Sequence, residues 1–134
     1  MKEKLLFNLI KNNFVPDLES TDEFNPTDGI SKEKDLAIEL KCRNTYYRFL
    51  LLEKKKYNKL IEHKNCRYIN SIVNGENIEI YSWNVKKLKN LNWHWRLMPN
   101  TTEFGNISWI NKEVAFIDIK LAKNLTNVLL NKNN

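Results

Sequence analysis

Asp28, Glu39 and Lys41 stand in the pattern D-x10-E-x-K, within "NPTDGISKEKDLAIELKCR". Two carboxylates are hard oxygen donors of the kind Mg²⁺ takes, alongside water and phosphate oxygens. An amine beside them can orient an attacking water and offset the charge that builds on a phosphate. The chemistry such a trio supports is hydrolysis of a phosphodiester. To act together the three must be held by rigid elements, and the alternation of "DLAIELKCR" predicts one: a strand from about Asp35 to Arg43. Its period of two puts Glu39, Lys41 and Arg43 on one face and Leu36, Ile38, Leu40 and Cys42 on the other. If an arm around Pro26 to Ile30 folds back on that strand, the carboxylates of Asp28 and Glu39 converge.

The surrounding elements follow from pattern. Leu5, Leu6, Leu9 and Ile10 recur at helical spacing and predict an opening helix over about Lys2 to Asn13. Glu19 to Ser31 is rich in turn formers, with Phe24 and Ile30 suggesting a hairpin arm. "TYYRFLLLEKKKYNKLIEHK" carries Tyr46, Phe49, Leu52, Tyr57, Leu60 and Ile61 at three- and four-residue intervals, which predicts a central helix. "CRYINSIV" and "NIEIYSWNV" flank the turn "NGEN" and predict an antiparallel pair. "WHWRLM" reads as a strand, "PNTTEFGN" as a loop, "WINKEVAFIDI" as a last strand and "KLAKNLTNVLL" as a closing helix. The expected class is α/β, a central mixed β-sheet flanked by helices.

With 134 residues, 42% of them hydrophobic, the chain is expected to form one domain spanning 1–134. A net charge of +6 favours a polyanionic partner. Cys42 and Cys66 share no metal-cage spacing, so a reduced cytoplasmic protein is expected, of a bacterial or phage-infected cell given the wealth of Asn, Lys and Ile. No apolar run approaches a membrane span, and the amphipathic opening segment does not read as a leader. Three glycines leave no phosphate-cradling loop, which sets nucleotide-driven motors aside.

On "NPTDGI", "AIELKCR" and the following "YRFLLLEKKKYNKLI", the chain resembles the PD-(D/E)xK, or restriction-endonuclease-like, nuclease superfamily, and "WHWRLMPNTTEFGNISWINKEVAFI" looks like the tail of its small phage-type members. Thr27 separates Pro26 from Asp28, and Pro16-Asp17 lies too far upstream for a short hairpin. The resemblance implies a restriction-endonuclease-like fold and a Mg²⁺-dependent DNA endonuclease, with Mn²⁺ as substitute. It also implies Asp28, Glu39 and the Leu40 carbonyl as metal ligands and Lys41 beside the nucleophilic water. Many members carry a further acidic residue on the first helix, for which Glu3 is the candidate and Glu19 the second choice. So small a chain would select DNA by its structure, through a partner, or as a homodimer that sets two sites on two strands.

Arg43 and the lysines of "EKKKYNK", Lys55, Lys56 and Lys59, are candidates to meet DNA phosphates; such a run also serves as a solvated helix face. Trp93 and Trp95 alternate around His94 and fit a core face of a strand, or, less commonly, a base-stacking surface. An E-x-K strand by itself also fits an exposed sheet face with paired charges. The Asp upstream, the apolar reverse face and the basic segment downstream favour the site. The rival from another class is a non-catalytic DNA-binding or assembly protein that keeps the nuclease fold.

Overall fold

The computed structural model describes residues 1–21, 28–101 and 107–130. In chain order the elements are α1 (Glu3–Asn13), β1 (Glu19–Ser20), β2 (Asp28–Ser31), β3 (Leu36–Arg43), β4 (Phe49–Glu53), α2 (Lys54–Leu60), β5 (Asn65–Asn74), β6 (Asn77–Trp83), β7 (His94–Thr101), β8 (Ile107–Asp118), β9 (Lys123–Asn124) and α3 (Thr126–Leu130), with single 3-10 turns at Val85–Lys87 and Ile119–Leu121. The class is mixed α/β, rich in strand. Instead of one central sheet there are two: six strands in the order β1-β2-β3-β5-β6-β9, and three in the order β4-β8-β7. Among the described residues no helix is long and apolar enough to cross a membrane.

The β2–β3 hairpin forms because residues 32–35 make a turn in which Asp35 takes a positive φ of 45°, a conformation Asp tolerates better than most residues. Next to it, β3 runs parallel to β5, from Leu36 opposite Asn65 to Arg43 opposite Ile72. Parallel neighbours require a crossover, and residues 44–64 supply it, carrying β4 and α2 across one face of the large sheet. The opposite face takes α1, whose Leu6, Phe7 and Ile10 pack on Ile38, Leu40, Ile69 and Ile80. Gly29 makes that approach possible. A Cβ there would stand 2.9 Å from Leu18 Cδ1 and Phe7 Cε2, so a side chain would push α1 off β2. Under the crossover lies the second cluster, with Leu50, Leu52, Leu60 and Ile117 against Tyr68, Ile72 and Trp83. Trp83 is fully buried, and its Nε1 donates to the Asp118 carbonyl at 2.9 Å, so no polar atom of the ring is left unpaired.

Several expectations are corrected. The central helix over 45–64 is in fact β4 followed by the seven-residue α2. Leu50 and Leu52 alternate into the core while β4 pairs with β8 from Phe49–Asp118 to Glu53–Val114. Spacing of three between Tyr46, Phe49 and Leu52 fits a helix, but a strand partner some sixty residues away decides otherwise. The closing helix is likewise cut down to α3, because Lys123 and Asn124 pair with Ser82 and Tyr81. In the expected "PNTTEFGN" loop, Pro99–Thr101 continue β7; residues 102–106 lie outside the described residues, as do Phe24 and Pro26 of the hairpin arm. The β5–β6 hairpin forms as expected, with Asn74 opposite Asn77; Gly75, at φ 63°, and Glu76 form its tip.

Candidate active site

The register of β2 on β3 sets Asp28 directly opposite Glu39. Directly opposed residues of an antiparallel pair share a face, with Cβ atoms about 4.5–5.5 Å apart, so the two carboxylates are neighbours by construction. Two residues along β3 on that face comes exposed Lys41, and two further Arg43. The reverse face of β3, Ile38 and Leu40, is sealed by α1. The strand is therefore fixed from behind and offers its charged residues to the front.

That front is no solvated sheet surface. The crossover carries α2 and the β4–α2 junction over it, closing a cleft of about 700 Å³ that Asp28 and Glu39 line together with Lys54, Lys55, Lys56 and Lys59. Glu39 is 7% exposed. The Lys56 ammonium donates to its Oε1 at 2.6 Å, and Lys59 Nζ lies 3.9 Å from Asp28 Oδ2. Thr21 Oγ1 donates to Asp28 Oδ1. The pairing of Glu53 with Val114 brings β8 alongside, so that Lys112 meets Glu53 at 2.7 Å and Lys54 meets Glu113 at 3.5 Å. Four carboxylates, each with a lysine within 3.9 Å, thus stand around the cleft, and Lys55 is a fifth lysine there. Three of the lysines open α2, at the helix end whose backbone dipole disfavours cations. Helix formation does not call for them there; the carboxylates below do.

Burial pushes the Glu39 carboxyl above its ordinary range, and the negative charge of Asp28 adds to the push; the hydrogen bond and charge of Lys56 oppose it without cancelling it. Burial acts to lower Lys56, but its hydrogen bond to Glu39 and the charges of Glu39 and Glu53 outweigh this and hold the ammonium protonated beyond its usual range.

A second, smaller cleft of about 360 Å³ continues from Glu39 along β3 past Leu40 and Lys41 to Arg43, and Glu3 of α1 lines it. The Leu40 side chain is buried against α1, so its main chain is what meets this cleft. Glu3, Glu39, Leu40 and Lys41 are thereby brought to one place, while Glu19 is exposed on β1, the outermost strand of its sheet. Arg43 serves the interior. Its Nε donates to Asn70 Oδ1 at 2.7 Å and its Nη2 to the Leu51 carbonyl at 2.8 Å and Tyr68 Oη at 3.2 Å, tying β3 to β5 and β4. Lys55 is exposed at the rim. Trp93 and Trp95 do not share a buried face: Trp93 precedes β7 and packs on Tyr57 with ring centroids 5.2 Å apart, whereas Trp95 is exposed.

Among the described residues no group of three or more His, Cys, Asp or Glu is placed to hold a metal ion. The donor set at the hairpin is the carboxylate pair, which suits Mg²⁺, an ion that keeps several waters and binds one or two carboxylates. Lys54, Glu53, Lys112 and Glu113 did not stand out in the sequence; only the long-range β4–β8 register assembles them. Comparison with family models, with curated proteins and with solved structures gives no match for the chain.

Proposed function

We propose that the protein is a Mg²⁺-dependent DNA endonuclease of restriction-endonuclease-like fold, hydrolysing phosphodiester bonds in the cleft over the β2–β3 hairpin. One observation carries the reading: Asp28 and Glu39 are cross-strand partners inside a cleft lined by lysines, and Lys41 follows Glu39 on the same face of β3, in the smaller cleft that Glu39 also lines. Asp28 and Glu39 would hold the metal, with the Leu40 main chain beside them and Glu3 nearby. When bound, the metal supplies charge neutralisation at the phosphate and a more acidic water.

The chain's own residues do the rest. Lys41 orients the attacking water and stabilises charge on the phosphate. Lys55, Lys59 and Lys112 hold flanking phosphates as point charges, without reading sequence. The Lys56 ammonium, now on Glu39, favours the ionised form of this buried carboxylate against its burial. Mn²⁺ would replace Mg²⁺, and a homodimer in the cytoplasm of a bacterial or phage-infected cell is the assembly proposed for cutting both strands.

A second reading has its own support: Lys56 and Lys59 already neutralise Glu39 and Asp28, as a non-catalytic DNA-binding protein that keeps the fold would have them. Incubation with supercoiled plasmid and branched oligonucleotides decides between the two. Nicking or cleavage with Mg²⁺ or Mn²⁺, stopped by chelator and lost in Asp28→Asn, supports the enzyme. Metal-indifferent binding without cleavage supports the binder.

A further inference from the structure

The β7–β8 ribbon runs beyond the body of the second sheet and, among the described residues, carries an exposed apolar face. Trp95 lies opposite Glu113, Leu97 opposite Asn111 and Pro99 opposite Trp109, so Trp95, Leu97 and Trp109 share one face of the ribbon. Trp95 is 69% exposed and Trp109 63%. The other face is occupied by its own contacts: Arg96 sits over the Phe116 ring at 5.4 Å, and His94 stacks on it at 5.8 Å. Trp95 also lines the cleft that holds Asp28, Glu39 and the α2 lysines.

We infer that this face is a stacking platform for unpaired bases, and that the substrate enters as a single-stranded or locally opened segment of DNA. The inference rests on the nuclease reading for the use of the cleft, and it names that cleft's substrate class. An exposed indole beside a lysine-lined groove matches the two halves of a nucleotide strand: the ring takes a base, and the ammonium groups take the backbone. A duplex buries the faces of its bases in its own stack, so only unpaired bases offer a face to Trp95. Asn111, on the same ribbon face as Trp95 and lining the same cleft, adds an amide group able to hydrogen-bond a base. Lys55 and Lys59, both exposed where they line the cleft, favour an occupant that carries phosphates as well as flat apolar faces over a purely apolar partner.

The test measures binding in EDTA, where nothing is cut, using a labelled oligothymidylate and a hairpin duplex of equal length. Wild type should bind the single strand about tenfold more tightly than the duplex. Trp95→Ala should lose about tenfold on the single strand and less than about twofold on the duplex, Trp95→Phe should recover most of the loss, and Trp109→Ala should weaken the single strand alone. Circular dichroism and melting should be unchanged, because both indoles are exposed. Equal affinity for the two probes, or indifference to Trp95, overturns the inference. So does a dimer that dissociates in Trp95→Ala with DNA binding intact, which would make the face an interface between copies. Cleavage is scored separately with Mg²⁺ and Mn²⁺. Duplex cleavage that ignores Trp95 keeps the nuclease and discards the platform, whereas Trp95-dependent binding without cleavage does the reverse.

Discussion

Asp28 and Glu39 are direct partners across the β2–β3 hairpin, and each has a lysine of α2 against it: Lys59 at 3.9 Å from Asp28 and Lys56 at 2.6 Å from Glu39. Neither lysine is sealed in place, their side chains being 76% and 44% exposed, so a divalent ion can compete for the carboxylates without unfolding anything.

Metal should therefore tighten DNA binding as well as permit cleavage, by cancelling two negative charges where the phosphate arrives and freeing two ammonium groups to meet it. The double variant Asp28→Asn with Glu39→Gln should bind DNA equally well in EDTA and Mg²⁺, in a salt-sensitive way, with cleavage down about a hundredfold or more. Ca²⁺ should promote binding by wild type with little turnover, its looser shell positioning water poorly. Gel-shift titrations beside a cleavage assay check this; a double variant that still cuts would move the site elsewhere.

The raised pKa of Glu39 makes a pH prediction with a definite sign. A carboxyl that holds its proton more tightly folded than unfolded lowers stability as pH climbs from the ordinary 4.5 toward the folded value. Glu39→Gln escapes this. Its melting temperature should match wild type below the ordinary carboxylate range and exceed it at neutral pH. Thermal melts at acid and neutral pH test it, and a variant that is less stable at neutral pH would contradict it.

Lys41 is exposed and follows Glu39 on the same face. Lys41→Ala should cut the cleavage rate by about a hundredfold while stability stays within about 0.5 kcal/mol, as for other surface changes. Normal activity with a lowered melting temperature would return this strand to the role of an ordinary paired-charge face.

For Arg43 the expected balance is reversed. Its loss takes the Arg43 donor from Asn70 Oδ1 and leaves the Leu51 carbonyl with Tyr68 Oη at 3.2 Å, so Arg43→Ala should cost about 1–3 kcal/mol in urea unfolding. DNA affinity and its salt slope, measured under folded conditions, should hardly move.

What could be read in the chain follows the range of the interactions. The β2–β3 hairpin is local: alternation gives β3, turn residues give the reversal, and Asp28 meets Glu39 within a dozen positions. The opening helix and the β5–β6 hairpin are local too, and both form as expected. The second sheet is not. "FLLLE" has no strand-like polar alternation, because Leu51, between core Leu50 and Leu52, is itself half-buried and lies opposite Phe116 of β8. Nor does anything near Glu53 announce that Lys112 will neutralise it. The same blindness hid the exposure of Trp95, since alternation states which residues share a face but not whether anything covers it.

β7 forms the outer edge of the three-stranded sheet, and Pro99 sits in its second half. An eight-residue edge bearing Trp95 and Leu97 would otherwise be a template on which further chains add strand by strand. Proline supplies no donor and is tolerated at an edge where its ring faces away from the ladder. The ribbon thus keeps its apolar face while its margin lacks one of the main-chain donors that an added strand would need.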